Sequence, residues 1–151
     1  MKWAILVAAV ACGVLGGVYF AFSSFVFPAL ERVPDATGVA AMNSINDRAE
    51  TPVFLTVFLV TALACAALAL WLLLNWSDRR APLVLAGSAV HVVGNFIVTM
   101  AANVPKNDKL MDHPGYWHDY TTSWAAWNHV RTVTGIVAAA LLVAAVLRDD
   151  A

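Results

Sequence analysis

The sequence has little charge. Only 13% of its 151 residues are Asp, Glu, Lys or Arg, and the formal net charge is −1. A soluble domain usually carries about 25% charged residues, so this composition argues against a soluble globular protein. Because the few charges are nearly balanced and form no basic tract, nucleic acid is not an expected partner either.

Cysteine is also scarce. Cys12 and Cys65 both lie inside apolar runs, and they form neither a CxxC pair nor a Cys/His ligand spacing. The histidines lack the HxxxH and HExxH spacings of metal sites; they are His91, His113, His118 and His129. We therefore expect both cysteines to be buried as small hydrophobes, and we expect no bound metal, haem, flavin or other cofactor.

Hydrophobic residues, in contrast, make up 61% of the chain, and the mean hydropathy is +0.72. They form four runs without charge. A bilayer core of about 30 Å needs about 20 helical residues, and backbone groups in lipid must bond within a helix. The sequence predicts one integral membrane domain over residues 1–151, with transmembrane helices at about 3–28, 52–75, 82–103 and 120–147. On the first, Gly13 and Gly17 form a GxxxG motif, which predicts the close approach of another helix.

The connections between these runs differ in length. A short polar turn with Arg79 and Arg80 joins the second and third runs, whereas the other two connections are long. This pattern predicts an all-α, four-transmembrane-helix up-down bundle with two long connections on one side, opposite both termini. The compact arginine pair favours cytoplasmic termini, in what we expect to be a bacterial inner (cell) membrane. The oligomeric state does not follow from the sequence.

The first long connection should contain a surface helix that begins at Pro34 and Asp35. Its apolar residues recur on one arc at helical spacing: Val39, Met42, Ile45 and Ala49. Asn46 falls inside this arc. It is either a polar residue at the edge of an interfacial helix or an amide directed into the protein.

The fourth run is short. From Thr132 to Leu147 it spans about 24 Å at about 1.5 Å per residue, less than the hydrocarbon thickness. The helix must recruit the preceding residues, which brings Asn128, His129 and Arg131 to the membrane boundary. One arc of about 100° on the helical wheel collects aromatic, amide and guanidinium groups together with a glycine: Tyr120, Trp124, Trp127, Asn128, Arg131 and Gly135. His129 falls about 140° from the reference position, Trp124.

Arg131 needs a partner at this boundary, because an ionisable side chain in lipid is costly. The guanidinium either extends to the headgroups or pairs with asparagine carbonyls or a carboxylate on the same side of the membrane. The sequence does not choose among the available carboxylates, which are Glu31, Asp47, Glu50 and Asp119.

The third run carries a polar stripe. Its members are four residues apart and share one side of a helix: His91, Asn95, Thr99 and Asn103. The stripe predicts either interhelical hydrogen bonds or a polar pocket. Pro105 disfavours α-helix at the residue before it, so we expect the helix to end near Asn103. We expect one cluster at the membrane boundary, beneath the two long connections: Asn103, Asn107, Asn128 and Arg131.

Four segments together are similar to a known family. They are residues 17–30, 40–46, 103–108 and 124–132. Over nearly the whole chain the sequence resembles the anthrone oxygenase-like family of small four-helix membrane proteins. Lys106 departs from the family pattern, which usually has leucine at that position. The resemblance implies, for some fungal members, the oxidation of polyketide anthrones to anthraquinones with molecular oxygen and no evident cofactor.

Two classes of function follow. In the first, the chain is an enzyme that oxidises a small hydrophobic aromatic ketone or phenol with O2, which requires a base and oxyanion donors. His129 or His91 would be the base, and the donors would be Asn103, Asn107, Asn128 and Arg131. The remaining substrate contacts would come from Trp124 and Trp127, which can stack on a planar ring, and from Asn95 and Asn46. In the second, the chain is a non-catalytic membrane module that binds lipid, a small molecule or a partner protein.

Overall fold

The computed structural model describes residues 1–148, which form five long helices and no strand. Four are long and apolar enough to cross a membrane: α1 (Lys2–Leu30), α3 (Pro52–Leu74), α4 (Ala81–Asp112) and α5, which is Trp117–Leu147 after a short 3-10 turn at Pro114–Tyr116. The other helix, α2 (Asp35–Ala49), belongs to the first long connection. The fold class predicted from the sequence is confirmed.

The four long helices alternate in direction. Gly16 of α1 faces Gly135 of α5, and further along α1 the Tyr19 carbonyl contacts the earlier residue Asn128. These two helices are therefore antiparallel. Their loop ends lie together with α2 and the 3-10 turn, whereas the short connection from α3 to α4 lies at the opposite end.

α1 and α5 come into close contact at two glycines. A Cβ atom at Gly135 would lie 2.8 Å from the Cα atom of Gly16, so the missing side chains allow backbone contact. The predicted GxxxG pair does not make this contact. A Cβ at Gly13 would meet Ala139 at an ordinary 3.9 Å, and one at Gly17 would meet nothing within 4 Å. The close approach occurs on the helix predicted for it, α1, but the glycine that faces α5 is Gly16, which lies between the two glycines of the motif.

The two ends of the bundle have different cores. The end away from the long connections is aliphatic and includes Ile5, Leu72, Val84, Leu142 and Val146. The other end is largely aromatic and includes Phe27, Met42, Leu110, Trp117, Tyr120 and Trp124. Because Val39 and Met42 of α2 belong to this second core, α2 covers the loop end of the bundle with its apolar arc.

α1 and α4 each contain a π-helical segment shortly before a proline. Phe22–Val26 precedes Pro28, and Thr99–Asn103 precedes Pro105. A proline inside an α-helix clashes with the carbonyl group four residues earlier, and the wider π turn moves that carbonyl away from the ring. The expectation that the third transmembrane helix ends near Asn103 was therefore wrong: α4 continues through Pro105 to Asp112.

Candidate functional site

A cavity of about 590 Å³ lies at the loop end of the bundle. All five helices contribute to its lining. Its apolar walls include Val18, Tyr19, Phe22, Met42, Phe54, Phe58 and Trp124, and its polar residues are Asn46, Arg48, Glu50, Thr99, Asn103, Asn107, Asn128 and Arg131. Small-molecule sites typically have about 300–1,000 Å³ of space, apolar walls and a few convergent polar groups. The cavity is therefore the candidate functional site.

Arg131 is a buried charge at this cavity, with 5% of its surface exposed. Its guanidinium carbon lies 4.4 Å from the ring centre of Tyr19 and 5.1 Å from that of Trp124. The guanidinium donates to Asn128 Oδ1 at 2.8 Å and to Thr99 Oγ1 at 3.3 Å. Two cation–π contacts and two hydrogen bonds hold it inside the bundle, so it does not extend to the headgroups.

The amide of Asn128 has a defined orientation. Its Nδ2 donates to the backbone oxygen of Tyr19 and to Ser23 Oγ, both at 2.9 Å. A backbone carbonyl only accepts and a guanidinium only donates, so Nδ2 must face Tyr19 and Oδ1 must face Arg131. Asn128 thereby connects the backbone of α1 to the guanidinium of α5.

The carboxylates considered from the sequence do not neutralise Arg131. Within residues 1–148, none of the four forms an ion pair with the guanidinium: Glu31, Asp47, Glu50 and Asp119. Glu50 lines the cavity, but its side chain is exposed. The Nε atom of Arg131 also has no hydrogen-bond partner in the described chain. A buried guanidinium with only neutral partners favours an anionic or electron-rich group in the space beside it.

Three further amides line the cavity. Asn103 donates through Nδ2 to the backbone oxygen of Trp124 at 3.3 Å, and its Oδ1 is buried without a partner. Asn107 accepts a hydrogen bond from the Tyr120 hydroxyl at 3.0 Å. Asn46 is buried at the cavity, and its Nδ2 is unpaired. It is therefore an amide directed into the protein rather than a polar residue at the edge of an interfacial helix. The four residues expected to converge, Asn103, Asn107, Asn128 and Arg131, all line this one cavity.

His129 and Trp127 lie outside the cavity. His129 is exposed, and its Nδ1 is 2.8 Å from Ser23 Oγ, which links it to Asn128 only through that hydroxyl. It borders a separate pocket of about 70 Å³. Trp127 is 42% exposed, although the helical wheel placed it on the same arc as Trp124. The structure therefore does not bring Trp127 to the ring-binding position expected for it.

The polar stripe of α4 is divided between different surroundings. Thr99 and Asn103 line the cavity. Asn95 is fully buried and donates to Thr134 Oγ1 of α5 at 3.0 Å, which is an interhelical hydrogen bond. His91 is fully buried nearer the other end of the bundle. Asn95 thus fits the first alternative for the stripe, an interhelical hydrogen bond, whereas Thr99 and Asn103 fit the second, a polar pocket. Neither His91 nor Asn95 lines the cavity.

Residues of α1 at the site were missed by the sequence analysis. Tyr19 supplies a ring and a carbonyl to the site, and Ser23 supplies a hydroxyl that also lies 3.0 Å from Thr132 Oγ1. Their spacing of four residues places both on one helix face. That spacing was visible in the sequence, but nothing indicated which face of α1 meets α5.

Comparison with known proteins gives the family. A family model described as anthrone oxygenase matches residues 46–141, well over half of the chain. No curated protein and no solved structure matched the chain. The matched range begins at Asn46 of α2 and contains the buried Arg131 together with the four asparagines that line the cavity. This integral membrane protein therefore belongs to the anthrone oxygenase family.

Proposed function

We propose that the cavity binds a planar aromatic ketone or phenol and oxidises it with molecular oxygen, without an organic cofactor. The observation that carries this proposal is the buried Arg131 guanidinium, which has no carboxylate partner among residues 1–148 and lies between the rings of Tyr19 and Trp124. A substrate that forms an aromatic oxyanion complements both its charge and its aromatic surroundings.

The reaction balances without an external reductant. A methylene carbon beside two aromatic rings loses a proton, and the negative charge moves to the ketone oxygen. The carbanion form combines with O2 to give a peroxide, and after protonation the peroxide loses water to leave a second carbonyl group. One oxygen atom enters the product and the other leaves as water, so O2 accepts all four electrons.

Arg131 would stabilise the oxyanion in this scheme. Its Nε has no partner among residues 1–148, and a preorganised buried charge stabilises a developing anion. Asn103 of α4 and Asn46 of α2 would add polar contacts, since each has one buried amide atom without a partner in the described chain. Trp124, whose ring faces Arg131, would contact the substrate ring.

Glu50 is the candidate for the base. The two histidines favoured from the sequence do not line the cavity, whereas Glu50 is the one carboxylate of residues 1–148 that does. Its exposed position at the end of α2 would allow the proton to pass on to water. Glu50→Gln should therefore slow oxidation while retaining binding, because the amide keeps the shape of the side chain and cannot accept the proton.

The substrate would reach the cavity from the membrane, which fits its apolar walls. We propose that the protein lies in a bacterial inner membrane. Arg79 and Arg80 in the short connection favour termini in the cytoplasm. Labelling of single cysteines introduced at Ser77 and Asp112 tests this topology. The first should react only from the cytoplasm and the second only from outside, and labelling of both from one side would exclude the proposed topology.

Oxygen uptake tests the activity. The purified protein in detergent is mixed with anthrone, and consumption of O2 and formation of anthraquinone are compared with the spontaneous reaction. Trp124→Ala should lower the enzymatic rate by about tenfold, since an aromatic contact contributes about 0.5–1.5 kcal/mol beyond its buried area. Trp127→Ala is the matched control, because Trp127 does not line the cavity, and it should retain the wild-type rate.

The same experiment separates the two classes of function. Quenching of tryptophan fluorescence by anthrone without O2 consumption would exclude the oxygenase and favour the non-catalytic binding module. Equal losses of activity in the two tryptophan variants would contradict the assignment of this cavity as the site.

A further inference from the structure

Three side chains with metal-binding atoms meet inside the bundle, away from the cavity. Cys12 of α1, Cys65 of α3 and His91 of α4 are each fully buried. The two Sγ atoms are 3.8 Å apart, and one ligand atom from each of the three residues lies within 4.8 Å of the others. None of the three lines the cavity, so this cluster is independent of the proposed function.

His91 is not satisfied by its surroundings. Neither ring nitrogen has a hydrogen-bond partner in residues 1–148, although a neutral imidazole carries one donor and one acceptor. The hydroxyl of Ser88, one turn earlier on α4, is also buried without a partner in the same range. Buried polar atoms are nearly always paired with protein, water or an ion, so an unpaired imidazole beside two thiols calls for a ligand.

We infer that Cys12, Cys65 and His91 form a metal site that binds Zn²⁺. Two thiolates held at about 2.3 Å from a tetrahedral zinc ion lie about 3.8 Å apart, which agrees with the observed separation of 3.8 Å between the sulfur atoms. The imidazole needs to approach the sulfurs by roughly 1 Å to reach a Zn–N distance of about 2.0–2.1 Å. Ser88 or a water molecule can occupy the fourth position.

The charge of the complex favours a divalent ion. Metal binding requires both thiols to lose a proton, so two protons leave for each ion bound. Two thiolates, a neutral imidazole and Zn²⁺ together have no net charge, which suits an apolar interior. The same ligands around Cu⁺ would form a buried anion.

A disulfide is the competing use of the two cysteines. It would require the sulfur atoms, now 3.8 Å apart, to move about 1.7 Å closer to reach a bond length of about 2.05 Å. It would also leave His91 without a partner. A simple contact between two thiols fits the sulfur distance but likewise does not satisfy the imidazole.

Zinc titration of the full chain tests the site. The protein is purified in detergent with reductant, stripped with a chelator and loaded with Zn²⁺, and bound metal is measured after gel filtration. We expect one ion per chain and an increase in Tm on loading. Co²⁺ in place of Zn²⁺ should give thiolate charge-transfer absorption and tetrahedral ligand-field bands.

Cys12→Ala, Cys65→Ala and His91→Gln should each weaken Zn²⁺ binding by at least about tenfold, the lower end of the effect known for residues that only support a metal ligand. His113→Gln and His118→Gln are the matched controls for adventitious binding at surface histidines, and they should bind Zn²⁺ as the wild type does.

If a cysteine variant fails to fold, the Co²⁺ spectrum of the folded wild-type protein still decides, since absorption without thiolate bands would exclude the site. Unchanged stoichiometry in the cysteine variants, or mass spectrometry showing a Cys12–Cys65 disulfide in protein purified without reductant, would also overturn the inference.

Discussion

Arg131→Lys retains the positive charge of the cavity but removes the planar group that Asn128 and Thr99 hold. The ammonium group of lysine is a point charge and cannot reproduce the fork of donors that reaches both residues. We expect it to keep the shorter contact, now 2.8 Å to Asn128, and to lose the 3.3 Å contact to Thr99. It also loses part of the stacking between Tyr19 and Trp124.

The magnitude follows from these contacts. A hydrogen bond from a charged donor contributes about 1.5–3 kcal/mol, and a cation–π contact about 0.5–2 kcal/mol. We expect Arg131→Lys to lower the free energy of unfolding by about 2 kcal/mol. If the guanidinium also binds a substrate oxyanion, the variant should bind an aromatic phenolate about tenfold or more weakly, since about 1.4 kcal/mol corresponds to a factor of ten.

Reversible unfolding in mixed micelles and fluorescence titration with an aromatic phenolate measure the two quantities. Arg32→Lys is the matched control, because Arg32 is exposed and does not line the cavity; it should match the wild type in both. Arg131→Leu removes the donor that pairs with Asn128 Oδ1 and leaves this buried acceptor unpaired, so it should be less stable than Arg131→Lys. Wild-type stability and affinity in Arg131→Lys would refute the role assigned to the guanidinium.

Two further predictions concern the helix contact and the short connection. Gly135→Ala should lower the free energy of unfolding by about 1–3 kcal/mol, because the added Cβ would lie 2.8 Å from the backbone of α1. Gly17→Ala is the control and should cause no loss, because nothing lies within 4 Å of its added Cβ. Equal effects of the two substitutions in thermal unfolding would refute the close contact. Hydrogen bonds from Arg80 lower the pKa of Asp78 from 3.8 to about 2, so the folded state favours the carboxylate and the associated stability is present above pH 3.8 and lost as the pH falls towards 2. Asp78→Asn should therefore be less stable than the wild type near pH 6, and the difference should disappear near pH 2; a difference independent of pH would contradict this reasoning.

The sequence was sufficient for the fold class and for the four long apolar helices, because the charge-free runs and the lengths of the connections depend on local composition. It also brought Asn128 and Arg131 to the membrane boundary, although it left open whether the guanidinium extends to the headgroups. Their positions on one helix face and the short final run both place them at the membrane boundary, where a charge needs a partner, but the sequence did not identify the partners of Arg131.

Other features depended on contacts that no single helix encodes. The helical wheel could not separate Trp127 from Trp124, since both fit an arc wide enough to include lipid-facing and protein-facing positions. The sequence analysis ended the third transmembrane helix before Pro105, because no residue type signals the π-helical segment that allows α4 to continue through this proline. Motif spacing could not identify the cluster of Cys12, Cys65 and His91, because its members come from three different helices.

The cavity itself follows from the order of residue sizes along one face of α5. At Gly135 this face has no side chain, and α5 touches the backbone of α1 at Gly16. Towards the loop end the same face carries Arg131, Asn128 and Trp124, and helices in contact at the glycines cannot stay equally close around these larger groups. Aromatic side chains fill part of the resulting space, and the remainder is the cavity of about 590 Å³. The glycine contact thus fixes how far the guanidinium lies from α1, which is why Gly135→Ala should weaken ligand binding at the cavity as well as the stability of the bundle.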